Sequence, residues 1–413
     1  MKKKIHIIGC GLYGAILAYH FASQKYEVTM IEKSKKIFSN FKPVNILSYK
    51  LNNGFHGIEY PRAKKLIDFL KKKIEVKLFQ KENIRKLIID DFLIDTNTKL
   101  ENFPDKISNI FKKKNLKSFK DQNLEFFFKS FFLQKIKKNL DKFSFDYEVS
   151  KRYIIPWFLP AETKILLNDE GMKFREAVRK GKMTPKYFFP DSFIFDDISK
   201  KLKKKLIQLN VKFLLSTEVK FKYEEIEYIK NKKKLIYDSD NVLHFHCSSS
   251  IPILQEAKPN MLNDLKEVKR FFFNILFKIP RTSLNFSFSE ILNLNYKMIN
   301  VNRISIPHNL TTKKQIFFQV ECISIKEKIS NSEIEDIKKE LKKILKLDKI
   351  DYVGHKNTRL IFYPSNKWVF LARNECINFL KKNRIKLITK NYFYPINMNK
   401  AWIWANEDFN KYK

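Results

Sequence analysis

Glycine is scarce in this chain, with eight residues in 413. Proline (13), cysteine (4) and tryptophan (4) are few as well, and 44 acidic residues face 82 Lys and Arg. Each shortage excludes something. So little glycine and proline rules out a collagen-like or linker-rich low-complexity chain. Cys10, Cys247, Cys322 and Cys376 stand far apart and form no C-x-x-C pair. That spacing excludes a disulfide scaffold and a cysteine metal site, and fits a reducing, cytoplasmic setting. No segment reaches the roughly 18 uninterrupted apolar residues of a spanning helix. Lys129 ends the run at Phe126-Phe127-Phe128, and Lys269-Arg270 precede Phe271-Phe272-Phe273. Contact with a membrane surface stays open. Met1-Lys2-Lys3-Lys4 before apolar residues imitates a leader, but the glycine turn described below accounts for the same residues.

The formal net charge is +38. One reading is a surface that recruits an anion. The other is compositional, because Lys, Ile, Asn and Phe are plentiful where Gly and Pro are scarce, as in an AT-rich coding sequence. Lysine is spread over the whole length, and the runs at 112–114, 203–205 and 232–234 read as solvated faces. No nucleic-acid-binding motif accompanies them, so no nucleic-acid partner is expected. A hydrophobic fraction of 44% and an aromatic fraction of 15% describe a globular chain, long enough for two or three domains.

Where the few glycines fall is informative. Three of the eight lie in Gly9-Cys10-Gly11-Leu12-Tyr13-Gly14, and Gly54 and Gly57 flank Phe55-His56. Ile5-His6-Ile7-Ile8 leads into the first cluster as a strand, and a helical run from Ala15 to Ala22 follows it. Glu27-Val28-Thr29-Met30-Ile31 is a second strand, ending at Glu32. Strand, glycine turn, helix, strand and acid together make a dinucleotide-binding unit. Gly9 permits the tight turn, Gly11 admits a pyrophosphate, and Gly14 lets helix and strand pack closely. The helix N-terminus offers free N–H groups and a positive dipole end. Glu32 accepts from ribose hydroxyls, which favours FAD or NAD over a 2′-phosphorylated cofactor. The fold class expected is α/β with a Rossmann-like core.

Periodicity predicts helices over 61–75, 120–142, 193–209 and 332–346, the last opened by Ser332 with Glu333 and Glu335 in its first turn. It predicts strands at 211–215 and 242–247, a hairpin within 220–237, and strand-rich stretches at 266–277 and 296–322. An aromatic segment runs from Tyr392 to Trp404. The histidines show no metal or catalytic-triad spacing, so no metal is expected.

This order of elements resembles the FAD-dependent group that contains UDP-galactopyranose mutase, protoporphyrinogen oxidase and the amine oxidases. Four stretches carry the resemblance. The first is the fingerprint through Glu32. The second, Asn53-Gly54-Phe55-His56-Gly57-Ile58-Glu59, resembles the mutase loop whose histidine lies beside the flavin. The third runs from Tyr187-Phe188-Phe189-Pro190 through the 193–209 helix to Ser216-Thr217-Glu218-Val219, and the strand ending Cys247-Ser248-Ser249 also matches. The fourth, Asn391 to Asn399, resembles the second flavin motif, an Asn/Asp-Met-Asp/Asn run at a helix N-terminus. Three departures stand out, one of them the absence between Lys33 and Lys50 of the arginine-rich glycine stretch that amine oxidases carry after the acidic residue. Thr389-Lys390 replaces a usual Gly-Arg pair, and Asp191-Ser192 replaces a usual Gly-Gly.

The resemblance implies a discontinuous FAD-binding domain (1–60, 185–255 and 350–413) and an inserted helical and antiparallel-sheet substrate domain (61–184 and 256–349). It implies cofactor contacts from Gly9, Gly11, Leu12, Tyr13, Gly14, Glu32, Lys33, Gly54, Phe55, His56, Val219, Ser248, Asn397, Met398 and Asn399. In a mutase-like reaction, reduced flavin N5 acts on the anomeric carbon of a nucleotide sugar. Arg303, Arg359 and Tyr363 would then act beside His56, with Trp157 and Tyr187 also lining the substrate cleft. Arg303 reads equally as a strand ion-pair partner, Trp157 as core, and Tyr363 before Pro364 as a turn marker. An FAD oxidoreductase of the amine oxidase type, a degenerate dinucleotide-binding protein and an NAD-dependent dehydrogenase are the competing readings.

Overall fold

The computed structural model describes residues 4–38, 41–54, 56–82, 84–89, 91–95, 186–236, 241–264, 269–284, 286–294, 298, 300–324, 326–362, 366–391, 393 and 397–413. Its centre is a five-stranded parallel sheet. The strands lie in the order Lys212–Leu215, Glu27–Glu32, Lys4–Ile8, Val242–His246 and Leu387–Thr389. A parallel strand flanked on both sides is buried on both faces and reads as a continuous apolar run, and Ile5, Ile7 and Ile8 are all buried. From Lys4–Ile8 the chain passes to a neighbour on one side through the helix Leu12–Ser23. The strand on its other side comes more than 200 residues later. The order therefore reverses at the carboxyl end of Lys4–Ile8, where open α/β sheets bind their ligands.

Helices Leu12–Ser23, Lys64–Lys72, Asp196–Gln208 and Met398–Tyr412 contribute to one core cluster with this sheet. A meander of three antiparallel strands (Thr217–Lys222, Glu225–Lys230, Lys233–Ile236) follows Lys212–Leu215.

Seven strands form the second large sheet, in the order Asp351–Phe362, Lys269–Pro280, Gln315–Ser324, Val301–Ser305, Glu290–Leu294, Arg85–Ile89 and Phe92–Asp95. Its strands alternate with period two. Phe273, Ile275, Phe277, Phe318, Val320 and Cys322 share an apolar cluster with Ile334, Ile337 and Leu341 of the helix Asn331–Ile344. The alternate positions, Asn274, Gln319 and Glu321, are polar and just as buried. They belong to the other face, toward the loop 52–54.

The predicted helices at 61–75, 193–209 and 332–346 are present as Lys64–Lys72, Asp196–Gln208 and Asn331–Ile344. Ser330, not Ser332, caps the last of these. Its side chain accepts from the Glu333 N–H while Glu333 accepts from the Ser330 N–H, a reciprocal capping box. Residues 120–142 lie outside the described residues. The hairpin Val44–Ile46/Tyr49–Leu51 and the strand Leu78–Glu82 were not expected from the sequence. The four cysteines are free and buried. Among the described residues no helix is long and apolar enough to cross a membrane, and no cluster of His, Cys, Asp or Glu is placed to hold a metal.

Three buried histidines tie the parallel sheet to its surroundings. The Tyr228 hydroxyl bridges His6 Nδ1 (3.2 Å) and His244 Nδ1 (2.8 Å), and His246 Nδ1 lies 3.4 Å from the Thr389 hydroxyl. Burial lowers their pKa values from 6.5 to about 3 for His6 and about 4 for His244 and His246. The unfolded chain therefore binds protons first. Stability is complete above about pH 6.5 and declines as the pH falls toward 4. At pH 5 the expected loss is about 2 kcal/mol per histidine. Urea midpoints at pH 7.5 and 5 check this, and equal midpoints would remove the histidines as the cause of any acid sensitivity.

Candidate cofactor and substrate site

The glycine turn sits at the topological switch point. Gly9 has φ +104°, a left-handed value suited to glycine, and a Cβ there would meet the Ser248 Cβ at 2.9 Å. A Cβ on Gly14 would lie 2.2 Å from the Gly9 carbonyl oxygen. Gly11 differs. Its φ of −81° is open to any residue, and nothing lies within 4 Å of its missing Cβ. It is the N-cap of Leu12–Ser23, and among the described residues no side chain caps that helix. Two glycines are thus bare for internal packing, and the third keeps an approach open to uncapped backbone donors. This matches what a diphosphate requires of a helix N-terminus.

Glu32 holds the turn from the next strand. Its carboxylate accepts from the Cys10 N–H at 2.9 Å and the Ser34 N–H at 3.0 Å. Each carboxylate oxygen retains a lone pair for a further donor. Ser216 N–H donates to the Ser34 carbonyl, and Lys33 pairs with Glu218 at 3.6 Å. These contacts bring the edge of the Thr217–Lys222 strand, with Val219, beside Glu32.

Of the remaining fingerprint residues, Leu12 packs partly buried against the core. Tyr13 turns inward, and its hydroxyl donates to the buried Asp408 carboxylate. Asn397 is the N-cap of Met398–Tyr412, with its side chain accepting from the Lys400 N–H at 2.7 Å. Met398 and Asn399 form that helix's first turn. Phe55, Trp157 and Tyr363 lie outside the described residues. Arg359 pairs with Phe272 in strand register, and its side chain is likewise outside what is described.

The loop that carries His56 is docked on the polar face of the seven-stranded sheet. Gln319 Nε2 donates to the Asn52 carbonyl at 2.9 Å, and Asn274 Nδ2 donates to Asn53 Oδ1 at 3.2 Å. Gly54, at φ +85°, would place a Cβ 3.3 Å from Phe272 and 3.5 Å from Glu321. The His56 ring packs between Phe41 and Phe195, with centroids 5.7 and 5.5 Å away. Asn52 also clamps the turn after Pro190, accepting from the Phe195 N–H and donating to the Phe193 carbonyl. Phe193 sits at φ +59° in that turn. An aromatic residue there is strained and persists because its surroundings hold it. The left-handed position so created is two residues after the Asp191 that begins the departure from Gly-Gly.

Arg303 belongs to the same polar face. It pairs with Glu290 (3.4 Å) and Glu321 (3.9 Å), both buried, and Tyr187 donates to Glu290 at 2.6 Å. The ion-pair reading of Arg303 is thus realised in the geometry. Tyr187 is a buried prop for that glutamate.

A small, partly open cleft between the loop and the sheet is lined by His56, His308, Gln319, Ser305, Phe189 and Phe193, among others. His308 was not singled out by sequence. It packs on Phe189 and Phe193, and burial, aided by Lys81, lowers its pKa to about 4. Glu290, Glu321, Asn274 and Gln319 were missed as well. Their signal was a polar residue at every second position inside aromatic strands, as in Phe318-Gln319-Val320-Glu321-Cys322.

No protein-family model matches this chain, and no curated protein matches it. Solved structures do match. Reduced UDP-galactopyranose mutase aligns at a TM-score of 0.68 and 12% identity, over 99% of this chain and 95% of that one. A protoporphyrinogen oxidase-like protein from Exiguobacterium sp. 255-15 aligns at 0.63 and 11%, over 100% and 98%. A fatty acid isomerase from P. acnes that produces CLA aligns at 0.58 and 8%, over 99% and 98%. The chain shares the fold of these solved structures.

Proposed function

We propose that this protein is an FAD-dependent enzyme whose dinucleotide runs from the Glu32 edge, across the Gly9–Gly14 turn, to the His56 loop. The observation that carries the reading is the division of labour among the three fingerprint glycines. Gly9 and Gly14 are filled around by protein, while Gly11 faces open space at an uncapped helix N-terminus. FAD fits that arrangement. The backbone N–H groups of the turn would hold the diphosphate, Glu32 would accept from the ribose hydroxyls, and the docked loop would carry His56 on the flavin side. When bound, the flavin supplies hydride or electron-pair chemistry. The cofactor part draws on 1–60, 185–255 and 350–413 apart from the strand Asp351–Phe362, together with the helix Lys64–Lys72 that shares the core of the parallel sheet, and the substrate part on the rest of 61–184 and 256–349. The strand Asp351–Phe362 is hydrogen-bonded into the substrate-side sheet.

On the substrate side we favour a neutral, partly apolar molecule, which suits the oxidoreductase reading better than the nucleotide-sugar one. Arg303, the described candidate for a diphosphate, is engaged by Glu290 and Glu321. Among the described residues, the cleft is lined by aromatic, amide, hydroxyl and imidazole groups without Lys or Arg. The nucleotide-sugar mutase reading is supported by the match of the His56 loop and requires its diphosphate cations from elsewhere.

A visible absorption spectrum before and after dithionite tests the proposal. Two flavin bands that bleach support it, and a colourless protein that takes up no added FAD overturns it. In the flavin-loaded protein, turnover of UDP-galactofuranose supports the mutase reading against the oxidoreductase one. His56→Ala is expected to shift the visible flavin bands, because the ring loses a neighbour. Bands identical to the wild type remove His56 from the flavin site.

A further inference from the structure

Lys390 occupies one of the places where the chain departs from the flavoenzyme pattern, and it is half-buried in a charged chain that reaches the glycine turn. Its Nζ lies 2.9 Å from Asp408 Oδ1 and 3.2 Å from Glu407 Oε2. The other oxygen of Asp408 receives the hydroxyl of Tyr13, the second residue of the fingerprint helix. Asp408 is 4% exposed and packs among apolar groups of the first core cluster, with the buried Cys247 nearby. Burial and then the neighbouring Cys247 and Asp408 raise the Tyr13 hydroxyl's pKa, so it stays protonated and donates. Burial opposes the Lys390 ammonium, but Asp408 and Glu407 together outweigh it, and its pKa lies above the ordinary lysine value.

The Asp408 carboxylate, bonded to the Tyr13 side chain and paired with the Lys390 ammonium, lies one side chain away from the first turn of Leu12–Ser23, where a diphosphate would sense its field. By itself it would repel the two negative charges of FAD and weaken the attraction of the helix N-terminus. We infer that Lys390 is a positioning residue for the cofactor. It neutralises Asp408, so that Asp408 can anchor Tyr13 and fix the fingerprint turn without opposing the anion that the turn receives. This rests on the FAD reading above. It adds a requirement that the turn does not reveal, namely a cation on a strand end some 380 residues away in sequence.

The test is FAD affinity, read by quenching of flavin fluorescence, in apoprotein freed of flavin, with circular dichroism confirming the fold. Lys390→Met is expected to weaken FAD about tenfold or more, the effect of one buried charge at intermediate effective dielectric. Lys390→Met/Asp408→Asn is expected to return affinity to within about threefold of wild type, because the uncompensated charge is gone. A packing role would show no such rescue. Tyr13→Phe keeps the ring and removes the donor, and should weaken FAD by a smaller factor. Folded Lys390→Met with wild-type affinity overturns the inference, as does a loss that Asp408→Asn leaves unrepaired. If Lys390→Met fails to fold alone, a folded double mutant with weak FAD binding overturns it, and one with near-wild-type binding supports it. Wild-type protein that binds no FAD removes the underlying function, a result separate from any difference among variants.

Discussion

Gly11→Val is expected to leave the fold intact and to abolish FAD retention. The backbone at Gly11 has φ −81° and ψ −176°, which valine adopts readily, and among the described residues no atom lies within 4 Å of the new Cβ. The cost to stability is that of a poorer N-cap, about 1 kcal/mol or less. The branched side chain would instead occupy the approach to the uncapped N–H groups, so affinity should fall by at least about a hundredfold, the loss of close contact with the diphosphate. Gly14→Ala is the contrasting control. Its Cβ would lie 2.2 Å from the Gly9 carbonyl, so fold and cofactor should be lost together. Thermal melts and flavin absorbance measured side by side distinguish the two. Gly11→Val protein that keeps its flavin would place the diphosphate elsewhere.

Removing Arg303 should destabilise the protein more than any other single charge change in the described cleft face. Arg303→Met leaves Glu290 and Glu321 without their shared cation, and both are almost wholly buried. Breaking a buried pair from one side typically costs 3–5 kcal/mol. Arg303 is 24% exposed, and Tyr187 still donates to Glu290, so about 3 kcal/mol is expected. A second substitution, Glu290→Gln, should restore part of that loss. Urea denaturation measures both. If Arg303→Met melts like the wild type yet loses affinity for uridine diphosphate, the arginine serves a diphosphate, and the nucleotide-sugar reading gains over the neutral-substrate one.

The parts of the molecule legible in the sequence are those built by contiguous residues. The unit from Ile5 to Glu32 holds its strand, turn, helix and acid within thirty residues. The demands on its glycines are local steric ones, so scarcity of glycine elsewhere made them conspicuous. The helix Asn331–Ile344 was legible for the same reason, although its cap lay two residues earlier because the Ser330–Glu333 box competes better than Ser332. The polar face under the His56 loop was not legible in this way. Asn274, Glu290, Arg303, Gln319 and Glu321 lie on four different strands and become one surface only through the registers of the sheet. Their alternation with phenylalanine and isoleucine could be read as strand. It did not say which face would meet the loop.

By itself, then, the sequence determined the glycine turn, the α/β class and the position of a histidine loop flanked by glycines, because backbone sterics and hydrophobic period act over a few residues. Only the tertiary structure decided what those residues work against. It committed Arg303 to two glutamates, brought His308 to the cleft, and joined Tyr13 to a carboxylate 395 residues away with Lys390 beside it. Whether a charge is available to a ligand depends on its neutralising partners in space, and chain order does not encode that distance.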